Sequence, residues 1–257
     1  MKIKNLLSNL AIIICFGVIT YSAVEIFKVQ IEIRQISAED NDIKQIAIDK
    51  TRTDEELFFT TDSFRNLKST NNDFQFYLHF HNNLITTPVV KTNDNDYYLT
   101  RSFKKTYSKL GTAFMDFNSN FTDTNVVIYG HYYYTDSTRM FGPLHRLKKQ
   151  SEFEKNKMFD VYFESNYYTY EVLYVYEFSL SEFAVYDFTT RNFANETAFD
   201  AFIDYSRSKS YVSTSTPASY GDQLMTMQTC VQQQPDKRLI VVAKLVEQGL
   251  LTDKEKR

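Results

Sequence analysis

The sequence predicts a mainly β domain, a sheet closed on itself, that follows a helical N-terminal region beginning with a membrane-spanning segment. Three observations predict it. From Phe74 onward the apolar residues fall into eight short runs with a period near two, separated by polar turns. The chain has 22 Phe and 19 Tyr but no Trp, and only 6 Gly and 4 Pro; aromatic residues with β-branched partners suit a pleated, half-buried surface. Leu6 to Val24 carries no charge.

That uncharged segment, LLSNLAIIICFGVITYSAV, has 19 residues, about 28 Å of helix at about 1.5 Å per residue, close to the hydrocarbon thickness of a bilayer. A signal peptide has a shorter apolar stretch and small residues before its cleavage point, and Thr20-x-Ser22 matches that poorly, so an uncleaved anchor at 6–24, after residues 1–5, is favoured. Lys28 and Arg34 follow the segment about as closely as Lys2 and Lys4 precede it, so counting positive charges is nearly silent on orientation. Residues 25–72 are polar with intermittent isoleucines and read as a stalk with helices. Within them Thr53 to Phe64 opens on a capping signature, Thr53 followed by Glu55 and Glu56.

Residues 73–257 then form the expected domain. Its strand candidates are FQFYLHFH, TPVV, GTAFMDF, TNVVIYGH, MFDVYFES, NYYTYEVLYVYEF, DQLMTMQTC and RLIVVAKLV. Two helical patches interrupt them, Met140 to Lys149 and Glu196 to Ser208; in the second, Phe199, Phe202, Ile203 and Tyr205 make an apolar stripe. With 43% hydrophobic and 24% charged residues the chain is not disordered, and its length supports one domain with a remainder rather than two. A net charge of −3 provides no field to attract nucleic acid.

The chain has two cysteines, Cys15 inside the apolar segment and Cys230 near the other end. A bridge would need a thiol in the bilayer to meet one in a folded domain, so Cys230 is expected to be free. A lone thiol in an exported chain is either a nucleophile or a small buried hydrophobe. Cys230 ends one apolar strand and Arg238 opens the next, with polar QQQPD between, which brings both to one end of the sheet. A nearby guanidinium favours the thiolate, and it can donate hydrogen bonds to an oxyanion. A cysteine enzyme also needs an acid for the departing amine, and histidine titrates in range. His131 closes the strand TNVVIYG after Gly130. His79 and His81 share one strand face, but two histidines are half a metal site with no cysteine near. His145, beside Arg146 on a helical patch, reads as a surface or packing residue.

Here the residues resemble a known family. NVVIYGH followed by MFGPLHRLK is similar to the histidine motif of class B sortases, in which a strand ending Tyr-Gly-His leads through a loop to a Met-Phe helix start. TMQTC, followed eight residues later by RLIVVAKLV, resembles the family's TLxTC strand and arginine strand. ITTPVVKTNDNDYYLTRSF and GTAFMDF resemble further blocks, so the likeness covers roughly residues 75 to 246 in the family's order. The resemblance implies an eight-stranded sortase barrel with N-terminal helices and a helix between strands six and seven, where Glu196 to Ser208 fits.

It also implies a membrane-bound enzyme with residues 1–5 cytoplasmic and its domain outside the cell, needing no organic cofactor and no obligatory metal. In that mechanism Cys230 attacks the Thr carbonyl of a C-terminal sorting signal on a surface protein, His131 protonates the leaving amine, and Arg238 steadies the oxyanion. An amine of a peptidoglycan precursor then resolves the acyl-enzyme. Gln228 stands where family members commonly have Ser, two residues before Cys230 and on the same strand face, so the usual class B sorting motifs cannot be assumed. Candidate substrate contacts are Gln228, Thr226, Tyr205, and Asn93 and Tyr97 within the 93–98 stretch. Three other readings stand beside this one: a pilin polymerase with a lysine acceptor, a membrane-tethered cysteine endopeptidase, and a binding module with a vestigial site, which predicts loss of one of His131, Cys230 and Arg238.

Overall fold

A computed structural model describes residues 2–47, 59–134 and 136–254. The chain divides into two compact units, Met1–Lys44 and Gln45–Arg257. The first is formed by one continuous helix, α1 (Lys2–Ala47), long and apolar enough to cross a membrane, a description that a signal sequence also meets. Ile13, Phe16, Val18, Ile19 and Tyr21 are all exposed, on every side of this helix. A helix apolar all round has no solvated face, which suits lipid on all sides. The capping signature expected at Thr53 lies outside the described residues.

The second unit opens with α2 (Thr61–Thr70), capped by Thr60, whose hydroxyl accepts from the Ser63 amide while the Ser63 hydroxyl accepts from the Thr60 amide. Leu67 of α2 is fully buried, and the Phe64 and Phe74 rings pack 5.2 Å apart. Eight strands follow: β1 (Phe74–Phe80), β2 (Thr86–Val90), β3 (Ala113–Met115), β4 (Asn125–Tyr129), β5 (Met158–Phe163), β6 (Asn166–Ser179), β7 (Leu224–Val231) and β8 (Gln234–Leu250). They close into a barrel in the order β1-β2-β3-β4-β7-β8-β6-β5. Pairs β2–β3 and β4–β7 are parallel and the others antiparallel, so each run read from the sequence is a strand of one mixed, closed sheet.

Two apolar layers hold it. Phe76, Leu78, Val89, Met225, Met227 and Val241 belong to the larger cluster, that of the barrel core. On β6, β7 and β8 the outward residues are buried too: Tyr174, Tyr176, Leu224, Ile240 and Val242 pack with Phe199, Phe202 and Ile203 of α4 (Glu196–Lys209). This double burial explains why β8 reads as an unbroken apolar run, Leu239 to Ala243, instead of alternating. Each of the three α4 side chains contributes roughly 1.5–3 kcal/mol by leaving water. Helix α4 starts at Asn195, whose side chain accepts from the Ala198 amide, and it lies in the β6–β7 connection as expected.

Two expectations need correction. The patch read as one helix from Met140 to Lys149 is a 3-10 helix, Gly142–Lys148, followed by a separate α3 (Gln150–Asn156). Leu144 and Leu147, both fully buried, stand three apart and eclipse one another in a 3-10 turn, so burial favours the tighter winding. The second correction concerns β8, which begins at Gln234, not Arg238. Gln233 takes a left-handed conformation (φ 57°) that turns the chain within two residues, and the register jumps from Cys230↔Arg238 to Val231↔Gln234, bulging Pro235 to Lys237 out of the pairing with β7, while Lys237 still pairs with Ser179 of β6.

Candidate active site

The topology explains why residues far apart in sequence meet at one rim. In a parallel pair the C-terminal ends of both strands lie together. The β4–β7 register, Tyr129↔Gln228, continues as the Gly130 amide donates to the Gln228 carbonyl at 3.1 Å, so His131 and Cys230 leave their strands at the same level. The antiparallel β7–β8 pair then sets Arg238 directly opposite Cys230. Facing residues of such a pair have Cβ atoms roughly 4.5–5.5 Å apart on one face of the sheet. Cys230 is thus flanked by His131 from one neighbouring strand and Arg238 from the other. Cys230 and Cys15 are both free thiols, and Cys230 is half-buried.

His131 is held by what surrounds it. Its Nε2 lies 2.8 Å from the Leu99 carbonyl. A carbonyl only accepts, so Nε2 is the hydrogen-bearing nitrogen in this contact and Nδ1 is left for another partner. Two glycines make this possible. A Cβ on Gly130 would lie 2.5 Å from the Phe141 ring, and Phe141, fully buried, donates its amide to the His131 carbonyl. Gly111, at φ +65°, would put a Cβ 2.5 Å from the Tyr98 carbonyl oxygen, 2.9 Å from that of Leu99 and 3.1 Å from His131 Cδ2. Gly111 and Leu99 did not stand out in the sequence, and Gly130 was noted there only as the residue before His131.

Arg238 is half-buried and donates from Nη1 to the Pro235 and Lys237 carbonyls, at 2.7 and 2.9 Å. The bulge that displaces residues 235–237 therefore supplies the acceptors that orient the guanidinium. A thiol in register with an imidazole on one side and a guanidinium on the other is the set of groups that nucleophilic attack on a carbonyl calls for.

The structure separates the substrate candidates. Gln228 is half-buried on the Cys230 face of β7. Asn93 and Tyr97 are exposed on the β2–β3 loop, the same loop whose Leu99 holds His131, and Arg101 lies 5.8 Å over the Tyr97 ring. Thr226 is fully buried, its hydroxyl donating to Asn125 Oδ1 at 2.8 Å. Tyr205 stacks on Tyr186 at 3.6 Å and donates to Glu182 at 2.7 Å. The other histidines divide as well. His79 Nδ1 meets the Thr86 hydroxyl at 3.0 Å, and His81 pairs with buried Asp160 at 3.1 Å. His145, read as a surface or packing residue, instead reaches the Cys230 carbonyl, its Nε2 at 3.0 Å.

Comparison with known proteins matches residues 81–246 to the sortase domain model. The chain belongs to the sortase family. Sortase B of Listeria monocytogenes serovar 1/2a is 27% identical over 256 residues, 96% of this chain and 99% of that protein. Sortase B of Staphylococcus aureus is 27% identical over 194 residues, 72% of this chain and 75% of that protein. The S. aureus crystal structure superposes with a TM-score of 0.66 at 25% identity, covering 73% of this chain and 88% of that one. The likeness is therefore to class B sortases, cell-envelope enzymes, and membership implies cysteine transpeptidase chemistry in surface-protein sorting.

Proposed function

We propose that this chain is a membrane-anchored transpeptidase, its Gln45–Arg257 unit outside the cell, that attaches surface proteins to peptidoglycan through Cys230. The observation that carries the reading is the strand register that brings Cys230 into line between His131 and Arg238. The Cys230 thiolate attacks the Thr carbonyl of a C-terminal sorting signal, and Arg238 donates to the oxyanion. As the C–N bond breaks, His131 delivers the Nδ1 proton to the leaving amine, and a thioester remains on Cys230. An amine of a peptidoglycan precursor then attacks the thioester, gives a proton back to Nδ1 and releases the thiolate.

Gln228, Asn93 and Tyr97 contact the sorting signal in this reading. Thr226 and Tyr205 act from behind, through Asn125 and Glu182, by fixing the strand and helix that border the groove. The uncharged 6–24 segment of α1 is the anchor, and the apolar faces of that helix support it. The test is cleavage of a Pro-x-Thr peptide by the full-length chain in detergent, with products identified by mass. Cleavage after Thr that Cys230→Ala abolishes is expected; full activity in that variant would overturn the assignment. With an added amine acceptor, a product joined to the amine is expected, and hydrolysed product alone with every amine tried would favour an endopeptidase.

A further inference from the structure

The Gln228 carbonyl faces β4, where it accepts from the Gly130 amide; carbonyls alternate sides along a strand, so the Cys230 carbonyl faces the same way, past Tyr129, the last residue of β4. A backbone carbonyl that faces past the end of its neighbouring strand takes its donor from outside the sheet. His145 supplies it, its Nε2 3.0 Å from that oxygen. This imidazole comes from the 3-10 helix Gly142–Lys148, whose buried Leu144 and Leu147 fix it against the barrel. The ring is held from the side by Tyr132, edge-on with centroids 4.9 Å apart. Tyr132 in turn donates through its hydroxyl to Gln232 Oε1 at 3.2 Å, on the tip of the β7–β8 turn.

Resting on the reading of Cys230 as nucleophile, we propose that His145 is a positioning residue for it, and that Tyr132 and His145 together tie the loop after β4 to the end of β7. His131 stands on the same loop, two residues past Tyr129, so the tie sets the distance between the proposed acid and the proposed nucleophile. Since the carbonyl only accepts, Nε2 is the protonated nitrogen of neutral His145. Burial pushes the pKa of His145 down, against the pull of the Cys230 carbonyl; Lys148 lowers it further and Glu177 raises it. The ring is accordingly neutral at neutral pH, and it places no positive charge beside the thiol. Its contribution is geometric: it fixes the peptide plane that follows the nucleophile, and with it the direction of the thiol.

The test compares three variants of the full-length chain in detergent, with peptide cleavage resolved into kcat and KM. His145→Gln keeps an N–H donor near the position of Nε2. His145→Leu fills the space without a donor, and His145→Asn holds its amide near Nδ1, short of the carbonyl. Loss of one neutral hydrogen bond in the transition state corresponds to about a tenfold fall in rate. His145→Leu and His145→Asn are expected to lose about that much in kcat with KM nearly unchanged, and His145→Gln to recover most of it. The rate of Cys230 alkylation by iodoacetamide is expected to follow the same order. Wild-type kcat in His145→Leu, or a His145→Gln no better than His145→Asn, would overturn the positioning role. If His145→Leu does not fold, the Gln and Asn pair alone decides. Cys230→Ala measured alongside separates the two readings: full activity there removes the nucleophile itself, whereas an enzyme that still requires Cys230 but ignores His145 removes only the tie.

Discussion

Replacing Gly111 with alanine tests the support of His131 with a single methyl group. Gly111 lies at φ +65°, a conformation that costs an L-residue roughly 1–2 kcal/mol. The new Cβ would meet the Tyr98 and Leu99 carbonyl oxygens at 2.5 and 2.9 Å, and His131 Cδ2 at 3.1 Å. Both short contacts are to backbone, which cannot swing aside as a flexible side chain would, so the loop has to move. The Leu99 carbonyl is also the acceptor for His131 Nε2, so the methyl displaces the acceptor and crowds the imidazole at once. A stability loss of about 1–2 kcal/mol lowers Tm by roughly 2–8 °C in a domain of this size. A shift of about 1 Å in a reacting group is worth about a hundredfold in rate. Gly111→Ala is therefore expected to fold, melt a few degrees lower, and lose ten- to a hundredfold, roughly, in kcat for peptide cleavage with KM little changed. Wild-type kcat in a Gly111→Ala protein with the lowered Tm would refute the role of the Leu99 contact in holding His131.

Two further outcomes follow from the geometry. Arg238→Lys retains the charge but not the fork of donors that the Pro235 and Lys237 carbonyls orient, and loss of an oxyanion donor is worth about 10²–10³ in kcat; near-normal turnover would remove Arg238 from that role. The Tyr205 hydroxyl, then Lys209, hold the Glu182 carboxyl down at about 2, from an ordinary 4.5. The folded state thus binds this proton less readily than the unfolded chain, and the stabilisation is present above about pH 4.5 and lost as pH falls toward about 2. Glu182→Gln should melt below wild type at neutral pH, with the gap closing on acidification; a gap independent of pH would contradict the assignment.

The eight strands were legible because the barrel leaves many strand residues alternating between core and solvent, and because the strands buried on both faces still kept their β-branched and aromatic composition. The start of β8 was not legible, since Gln233 in a left-handed turn and Pro235 within a strand both run against local preference. Tertiary pairing with β6 and β7 overrides them. The convergence of His131, Cys230 and Arg238 was foreseeable because each borders an apolar run in the sequence, although Arg238 lies inside β8 and not at its start. His145 was not, because its neighbours Arg146 and Lys148 made the segment look solvated. Only the wrapping of the 3-10 helix against the barrel turns that one ring toward β7. Thr226 and Tyr205 read from the sequence as candidate substrate contacts, and sequence spacing gives no sign that Asn125 and Glu182 already engage their hydroxyls.

The central claim, that Cys230 carries an acyl group between two amines, is tested most directly by the intact mass of the full-length chain during turnover. With a Pro-x-Thr peptide and an added amine, the account predicts a transient adduct of the peptide's N-terminal fragment on Cys230, absent in Cys230→Ala, that decays as amine-joined product accumulates. Product formation with no adduct at Cys230, or formed equally by Cys230→Ala, would contradict it.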